Sequence, residues 1–286
     1  MRKTNLLLTA AATVAVMAVG GVLLAAAVVY GGLYNVAAST QHLQPVFTVL
    51  EVAMRQSVRL RARGIEPPPL ADEQMALRGA ACFRDKCVQC HGAPGVAQGD
   101  IGLSMQPLPG PLVDAPRHWK PRELYWLTRH GIKMSGMPAW EHRLTDGELW
   151  SVVAFLERLP QLNAAQYAEL VARAPAAPSC GASLPGAVLP PLMAGDAARG
   201  RQALFQYACN ACHTIPGITG GQVQVGPPLA GIAQRSLIAG RLPNTQDNMV
   251  KWLRQTQEVK PLTAMPQLGV TEQDARDIAA YLAALD

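Results

Sequence analysis

Aromatic side chains are scarce in this chain: 4 Phe, 5 Trp and 6 Tyr make up 5% of 286 residues. A chain this long folds as about two domains of roughly 100–150 residues each. With so few rings, a large bound group would supply much of the interior. Charge is scarce too, at 16%, and is absent altogether between Lys3 and Glu51. The net charge of +5 is no basic patch on a folded domain, because the surplus lies in residues 1–66, where Arg2, Lys3, Arg55, Arg59, Arg61 and Arg63 face only Glu51 and Glu66. Residues 70–170 hold 10 basic and 11 acidic side chains, and residues 190–286 hold 8 and 7. A nucleic-acid reader needs a concentrated basic face with base-reading context, so that class is set aside. Missing as well are a nucleophile with its base, a flavin or nicotinamide glycine fingerprint, and a copper cluster. Cysteine is limited to six residues, four of which fall in two short motifs.

Those motifs are Cys87-Val88-Gln89-Cys90-His91 and Cys209-Asn210-Ala211-Cys212-His213. C-x-x-C-H is the attachment signature of c-type haem: two thiols form thioether links to porphyrin vinyl groups, and the adjacent imidazole takes one axial position on iron. A single copy also reads as a zinc half-site or a redox dithiol. Two copies, each followed tens of residues later by Met-Pro (Met137-Pro138 and Met265-Pro266), point to two haems.

The uncharged N-terminal run has its own reading. Residues 6–30 form 25 consecutive positions of Leu, Ala, Val, Met, Gly, Thr and one Tyr, enough for a bilayer-spanning helix of about 20 residues. Arg2 and Lys3 before it, with no charge just after it, predict a cytoplasmic N-terminus. A cleaved signal peptide is the competing reading, with small residues at Ala37-Ala38-Ser39, but its apolar core would be only about 7–15 residues long. A retained anchor is therefore expected over residues 1–34, followed by a juxtamembrane segment over 35–70. Within that segment Val46, Val49, Leu50, Ala53, Met54 and Val58 fall at helical spacing, with Arg55 and Arg59 four apart. Such a helix either lies on anionic headgroups or docks on a partner's membrane subunit. His42 reads as a solvated or interfacial histidine, and Pro67-Pro68-Pro69 as a stiff joint.

Asp72 is positioned to cap a helix running into the first motif. Gly79, Phe83 and Cys87 stand four apart and share one helical face, where the glycine lets a second helix come close. The expected partner opens with the capping box Thr145-Asp146-Gly147-Glu148 and carries Leu149, Val152, Val153 and Leu156 on one stripe. On Gly79, Phe83 and Cys87 to His91, the region resembles the class I cytochrome c family. That resemblance implies an all-α chain: one N-terminal transmembrane helix followed by two tandem class I cytochrome c domains, over 71–171 and 195–286, with a Pro/Ala-rich linker over 172–194. It also implies a methionine as the sixth iron ligand late in each domain, Met137 in the first and Met265 in the second. A thioether is a soft, uncharged ligand that raises the potential relative to a second histidine. Met134 reads instead as packing at the haem edge and Met105 as loop packing. His118 and His130 do not match the family pattern. Met249 shares helical spacing with Trp252 and Leu253 and reads as core.

The second domain repeats the plan with Phe205 four before Cys209, but Gly200 stands five before Phe205, which weakens the inference of a close helix crossing there. Gly226-Pro227-Pro228-Leu229 resembles the family's turn beneath the proximal histidine, and domain one has no clear counterpart at the same offset. Cys82 and Cys180 are left over, open between a disulfide and buried thiols. Trp119, Trp126, Trp140 and Trp150 read as packing around a macrocycle.

With His91 and Met137 on one iron and His213 and Met265 on the other, neither iron keeps an open position, so electron transfer is expected rather than catalysis. Cys87, Cys90, Cys209 and Cys212 complete the attachment of two covalently bound haem c groups. The layout looks like the membrane-bound dihaem cytochromes of bacterial respiratory chains, single-pass in the inner membrane with the haem domains on the periplasmic side. The implied partner is a terminal oxidase, served by a carrier or accessory subunit. An electron-accepting subunit of a periplasmic dehydrogenase is the alternative, and a dihaem peroxidase-like enzyme a third reading.

Overall fold

The computed structural model describes residues 2–175, 180–181, 192–220, 223 and 225–285. They divide into two units, residues 1–183 and 184–286. The first begins with α1 (Arg2–Tyr30), whose stretch Thr4–Tyr30 is long and apolar enough to cross a membrane and is unburied by the rest of the chain. After it come α2 (Gln44–Arg61), α3 (Glu73–Lys86), α4 (Val88–His91), α5 (Asp100–Leu103), α6 (Ala115–His118), α7 (Pro121–His130), α8 (Asp146–Arg158) and α9 (Ala164–Arg173).

The core of this unit is the crossing of α3 and α8. A Cβ on Gly79 would overlap the Ser151 carbonyl, so only glycine allows the two backbones this close. Phe83 then meets Phe155 with ring centres 5.0 Å apart, both fully buried, and each such side chain stabilises the fold by about 2 kcal/mol through burial alone. Both helices start where their caps direct. The Asp72 carboxylate accepts from the Gln74 N–H at 2.9 Å, and Thr145 and Glu148 exchange reciprocal bonds at 2.7 and 3.3 Å. Helix α9 lies beyond the elements expected from sequence. Its capping box, Asn163 with Gln166, was legible there, and it packs Tyr167 against Phe155.

Helix α2 also joins this unit. It packs on α7 and buries Val58 and Ala62, while the Arg55 guanidinium sits 5.3 Å from the Trp119 ring centre. One face of α2 is thus turned to the chain's own fold, a contact absent from the sequence reading. Cys82 and Cys180 form a disulfide with Cα atoms 5.1 Å apart, and the Gly181 N–H next to it donates to Glu148 at 3.0 Å. The pair left open by the sequence is therefore bonded, tying the start of the linker to domain one. Most of the expected linker falls outside the described residues.

The second unit comprises α10 (Ala197–Gln206), a two-residue antiparallel pair of β1 (Leu237–Ile238) with β2 (Leu242–Pro243), α11 (Gln246–Arg254), α12 (Thr256–Val259) and α13 (Glu272–Leu282). Here α10 crosses α13 at Gly200, where a Cβ would overlap the Asp277 carbonyl. The close crossing therefore exists, and the expected aromatic does not serve it: Phe205 is 43% exposed, whereas Leu204, four after Gly200, is 1% exposed. One extra residue separates the buried side chain from the motif in this domain, and Ala208 absorbs it in the left-handed conformation at φ 50°. The crossing is closed by Asp277, which takes a two-pronged bond from Arg199 at 2.8 and 2.9 Å and the Asp196 N–H at 2.8 Å. Ala275, Ile278, Ala279 and Leu282 of α13 are buried as one stripe, with Met249, Trp252 and Leu253 of α11 beneath them.

Candidate functional site

Each C-x-x-C-H motif follows the glycine-crossed helix of its domain. His91 Nδ1 lies 2.8 Å from the Gly110 carbonyl and His213 Nδ1 lies 2.7 Å from the Pro227 carbonyl. A carbonyl only accepts, so both Nδ1 atoms carry the proton and both Nε2 atoms keep a free lone pair. The loop carbonyl fixes the ring and raises the basicity of the nitrogen left free. Gly110-Pro111-Leu112 is the domain-one counterpart that the sequence reading did not find. It sits 19 residues from its histidine, against 14 in domain two, so a comparison at fixed offset passes over it.

The two Met-Pro segments are built alike to a degree their sequences do not announce. Ser135 N–H donates to the Ile132 carbonyl at 3.3 Å, and Thr263 N–H to the Lys260 carbonyl at 3.2 Å. The third residue of each turn is left-handed, Met134 at φ 60° and Leu262 at φ 63°. A hydroxyl then accepts from the backbone N–H of the methionine: Ser135 from Met137 at 3.2 Å and Thr263 from Met265 at 3.4 Å. Both methionines are half-buried. Met134 is 99% exposed to the rest of the protein, so no protein side chain holds it in place. Met105, expected to pack in its loop, lays its sulfur against Gly136. In domain two Cys209 and Met265 lie against one core cluster, whereas in domain one Cys87 and Val88 do so and Met137 does not. Trp119, Trp140 and Trp150 pack on the domain-one core, and Trp126 lies 4.9 Å from the His130 ring. His130 faces Glu141, with Nδ1 3.5 Å from its carboxylate.

Residues 74–156 match the family described as cytochrome c oxidase, cbb3-type, subunit III, and residues 197–286 match the family described as cytochrome c. The chain therefore carries two cytochrome c domains. Two curated proteins are similar to part of this cytochrome. Cytochrome c oxidase subunit 2 of Alkalihalophilus pseudofirmus is 34% identical over 88 residues, 30% of this chain and 25% of that protein. Cytochrome c oxidase subunit 2 of Bacillus sp. (strain PS3) is 30% identical over 99 residues, 33% of this chain and 28% of that protein. The chain thus spans about a quarter of the length of these relatives.

Cytochrome c domains hold haem c covalently, and the residues present fit that group. Beside His91 lies a cavity of about 450 Å³ walled by Ala93, Val96, Leu108, Pro111, Leu112, Val113, Leu159 and Leu162, apolar surfaces suited to the face of a macrocycle. In the second cytochrome domain the His213 imidazole lies directly against Gly226, where a Cβ would approach Nδ1 to 2.7 Å. The thiols fit as well. Burial, with Cys90 as the second cause, pushes Cys87 up to about 12, and burial pushes Cys209 up to about 11. Redox dithiols and zinc ligands need depressed values that favour thiolate. At Cys87 and Cys209 burial favours the neutral S–H group, the form that adds across a vinyl double bond to give a thioether. Burial also lowers the pKa of His91 against the opposing pull of the Gly110 carbonyl, which favours the neutral, metal-binding ring.

Proposed function

We propose that each cytochrome c domain carries one haem c, held by Cys87, Cys90, His91 and Met137 in the first and by Cys209, Cys212, His213 and Met265 in the second. The chain passes electrons through them to a respiratory oxidase, as a carrier or accessory subunit. The observation that carries this reading is the duplicated turn: in both domains a left-handed residue, a hydroxyl bond to the next-but-one N–H and a half-buried methionine recur in the same geometry. It is matched by a histidine whose Nδ1 is committed to a carbonyl in each domain.

Bound haem supplies the one-electron couple. The protein's part would be to hold the group through one histidine and one methionine in each domain and to keep water from it. With a thioether and a neutral imidazole holding it, the iron would keep no position for a small molecule, which is the requirement of a carrier rather than of an oxygen- or peroxide-reacting centre. The oxidase direction is supported by the likeness of residues 74–156 to an oxidase-subunit family and by the two oxidase-subunit relatives. The apolar α1, long enough to cross a membrane, supports a membrane anchor. Arg2 and Lys3 ahead of it favour a cytoplasmic N-terminus and haem domains on the outer face, and the Cys82–Cys180 disulfide suits an oxidising compartment.

The test is spectroscopic and biochemical. The purified chain should contain two haems c per polypeptide, both low-spin and neither binding carbon monoxide. Met137→His and Met265→His should each lower one midpoint potential. A high-spin, carbon-monoxide-binding haem would defeat the carrier reading, and co-purification with a dehydrogenase in place of an oxidase would defeat the assignment of partner.

A further inference from the structure

The loop between α4 and α6 touches both ends of domain one's haem site. At its start it is fastened to the C-x-x-C-H motif: the Gly99 N–H donates to the Gln89 carbonyl at 2.9 Å and Gln98 Nε2 donates to the Cys90 carbonyl at 2.7 Å. Gly102 packs so closely on the motif that a Cβ there would lie 2.9 Å from Cys90 Cα. Three residues on, Met105 is held by its N–H to the Gly102 carbonyl at 3.3 Å. Its thioether packs on Gly136, where a Cβ would overlap the sulfur and stand 3.0 Å from the Met105 methyl. Gly136 is the residue immediately before Met137. Domain two is built without this contact. Ala264 precedes Met265, so the Cβ that Met105 forbids is present, and residues 214–236 contain no methionine.

We propose that Met105 is a positioning residue for the Met137 thioether: by packing on Gly136 it ties the distal ligand of domain one to the proximal motif and restrains the ligand loop from swinging off iron. Methionine suits this role because its unbranched, polarisable thioether fills an irregular gap over bare backbone. The proposal rests on Met137 being the domain-one ligand, so the experiment separates the two claims.

The probe is imidazole, titrated into the oxidised full-length dihaem protein in a Met265→His background, where the red absorption band of a thioether–ferric bond reports haem one alone. Met105→Ala should weaken that band and raise imidazole affinity at haem one about tenfold, the size of coupling expected between touching residues. Met105→Leu, which keeps the volume, should restore the parent behaviour. Gly136→Ala should mimic Met105→Ala by displacing the sulfur. Combining Gly136→Ala with Met105→Ala reproduces the domain-two arrangement and should be no worse than either change alone. An unaltered band and affinity in Met105→Ala, additive effects in the double variant, or a Leu variant as impaired as the Ala variant would overturn the proposal. Met137→Ala should abolish the band; its survival there would overturn the ligand assignment instead.

Discussion

The two cytochrome domains present their methionines in the same turn and fasten that turn by different means. In domain one the Met137 carbonyl takes a backbone bond from the Ile132 N–H at 3.2 Å. In domain two a single side chain does the work, with Gln257 Nε2 donating to the Thr263 carbonyl at 3.1 Å and the Met265 carbonyl at 3.0 Å. The helix crossings differ in the same spirit. At the domain-one crossing stands Ser151, its hydroxyl bonded to the Gly147 carbonyl at 2.7 Å; at the domain-two crossing stands the buried Asp277 with Arg199. Domain one alone is closed by a disulfide. What the fold repeats is the turn that presents a methionine, while the supports behind it vary. Domain one relies on a covalent bond and neutral contacts, domain two on a charged pair and a side-chain clamp.

Breaking each support should therefore affect one domain and spare the other. The largest effect is expected from Cys180→Ser. A disulfide closing a 98-residue separation stabilises by about 4 kcal/mol through the unfolded state. Calorimetry of the full-length protein should show only the domain-one transition lowered. Next comes Asp277→Ala, which strips the Asp196 N–H and the Arg199 guanidinium of their acceptor and should cost domain two about 2 kcal/mol. Burial pushes the Asp277 carboxyl up, but the bonds from Arg199, Asp196 and Gln273 outweigh it, so the group ends below its ordinary value of 3.8. A depressed folded-state value means stability that is present above the unfolded value and is lost as pH falls through the folded one. Domain two should thus lose stability below about pH 4, with that acid limb missing in Asp277→Asn. A smaller effect belongs to Gln257→Ala, which removes the clamp for about 1 kcal/mol and should admit imidazole more readily at haem two and not at haem one.

The smallest change tests the turn itself. Glycine at Leu262 relieves a left-handed side chain at about 1 kcal/mol while adding a similar entropy cost of about 1 kcal/mol in the unfolded chain. Leu262→Gly should therefore alter the thermal transition little, and a large loss would mean that the exposed leucine has a packing role after all.

Much of this was legible before any coordinates. The motifs, the caps at Asp72 and Thr145 and the core triplet around Trp252 all depend on residues within a few positions of one another, and local periodicity reports such groupings faithfully. The family likeness further identified Met-Pro as the segment to watch. What escaped depends on chain that loops out and returns. The Gly110 acceptor was hidden by a longer loop, and the substitution of Leu204 for Phe205 by one inserted residue taken up at Ala208. The resting place of Met105 on Gly136, and the choice between a bonded and a free Cys82, needed the tertiary fold. None of these pairings leaves a periodic trace along the chain.

The docking of α2 on α7 shortens a leash. With α1 as an anchor, residues 31–43, between the end of α1 and the start of α2, would be the tether of domain one, drawn in where the Tyr34 hydroxyl is bonded to His42. Fully stretched they reach about 45 Å; as a flexible coil they average about 20 Å. Were α2 detached, the leash would run to the start of α3, several times the volume would open to the haem domain, and its local concentration beside a membrane-embedded acceptor would fall accordingly. On the proposed reading, the Arg55–Trp119 contact would act on encounter frequency, a property of the tethered search rather than of either haem.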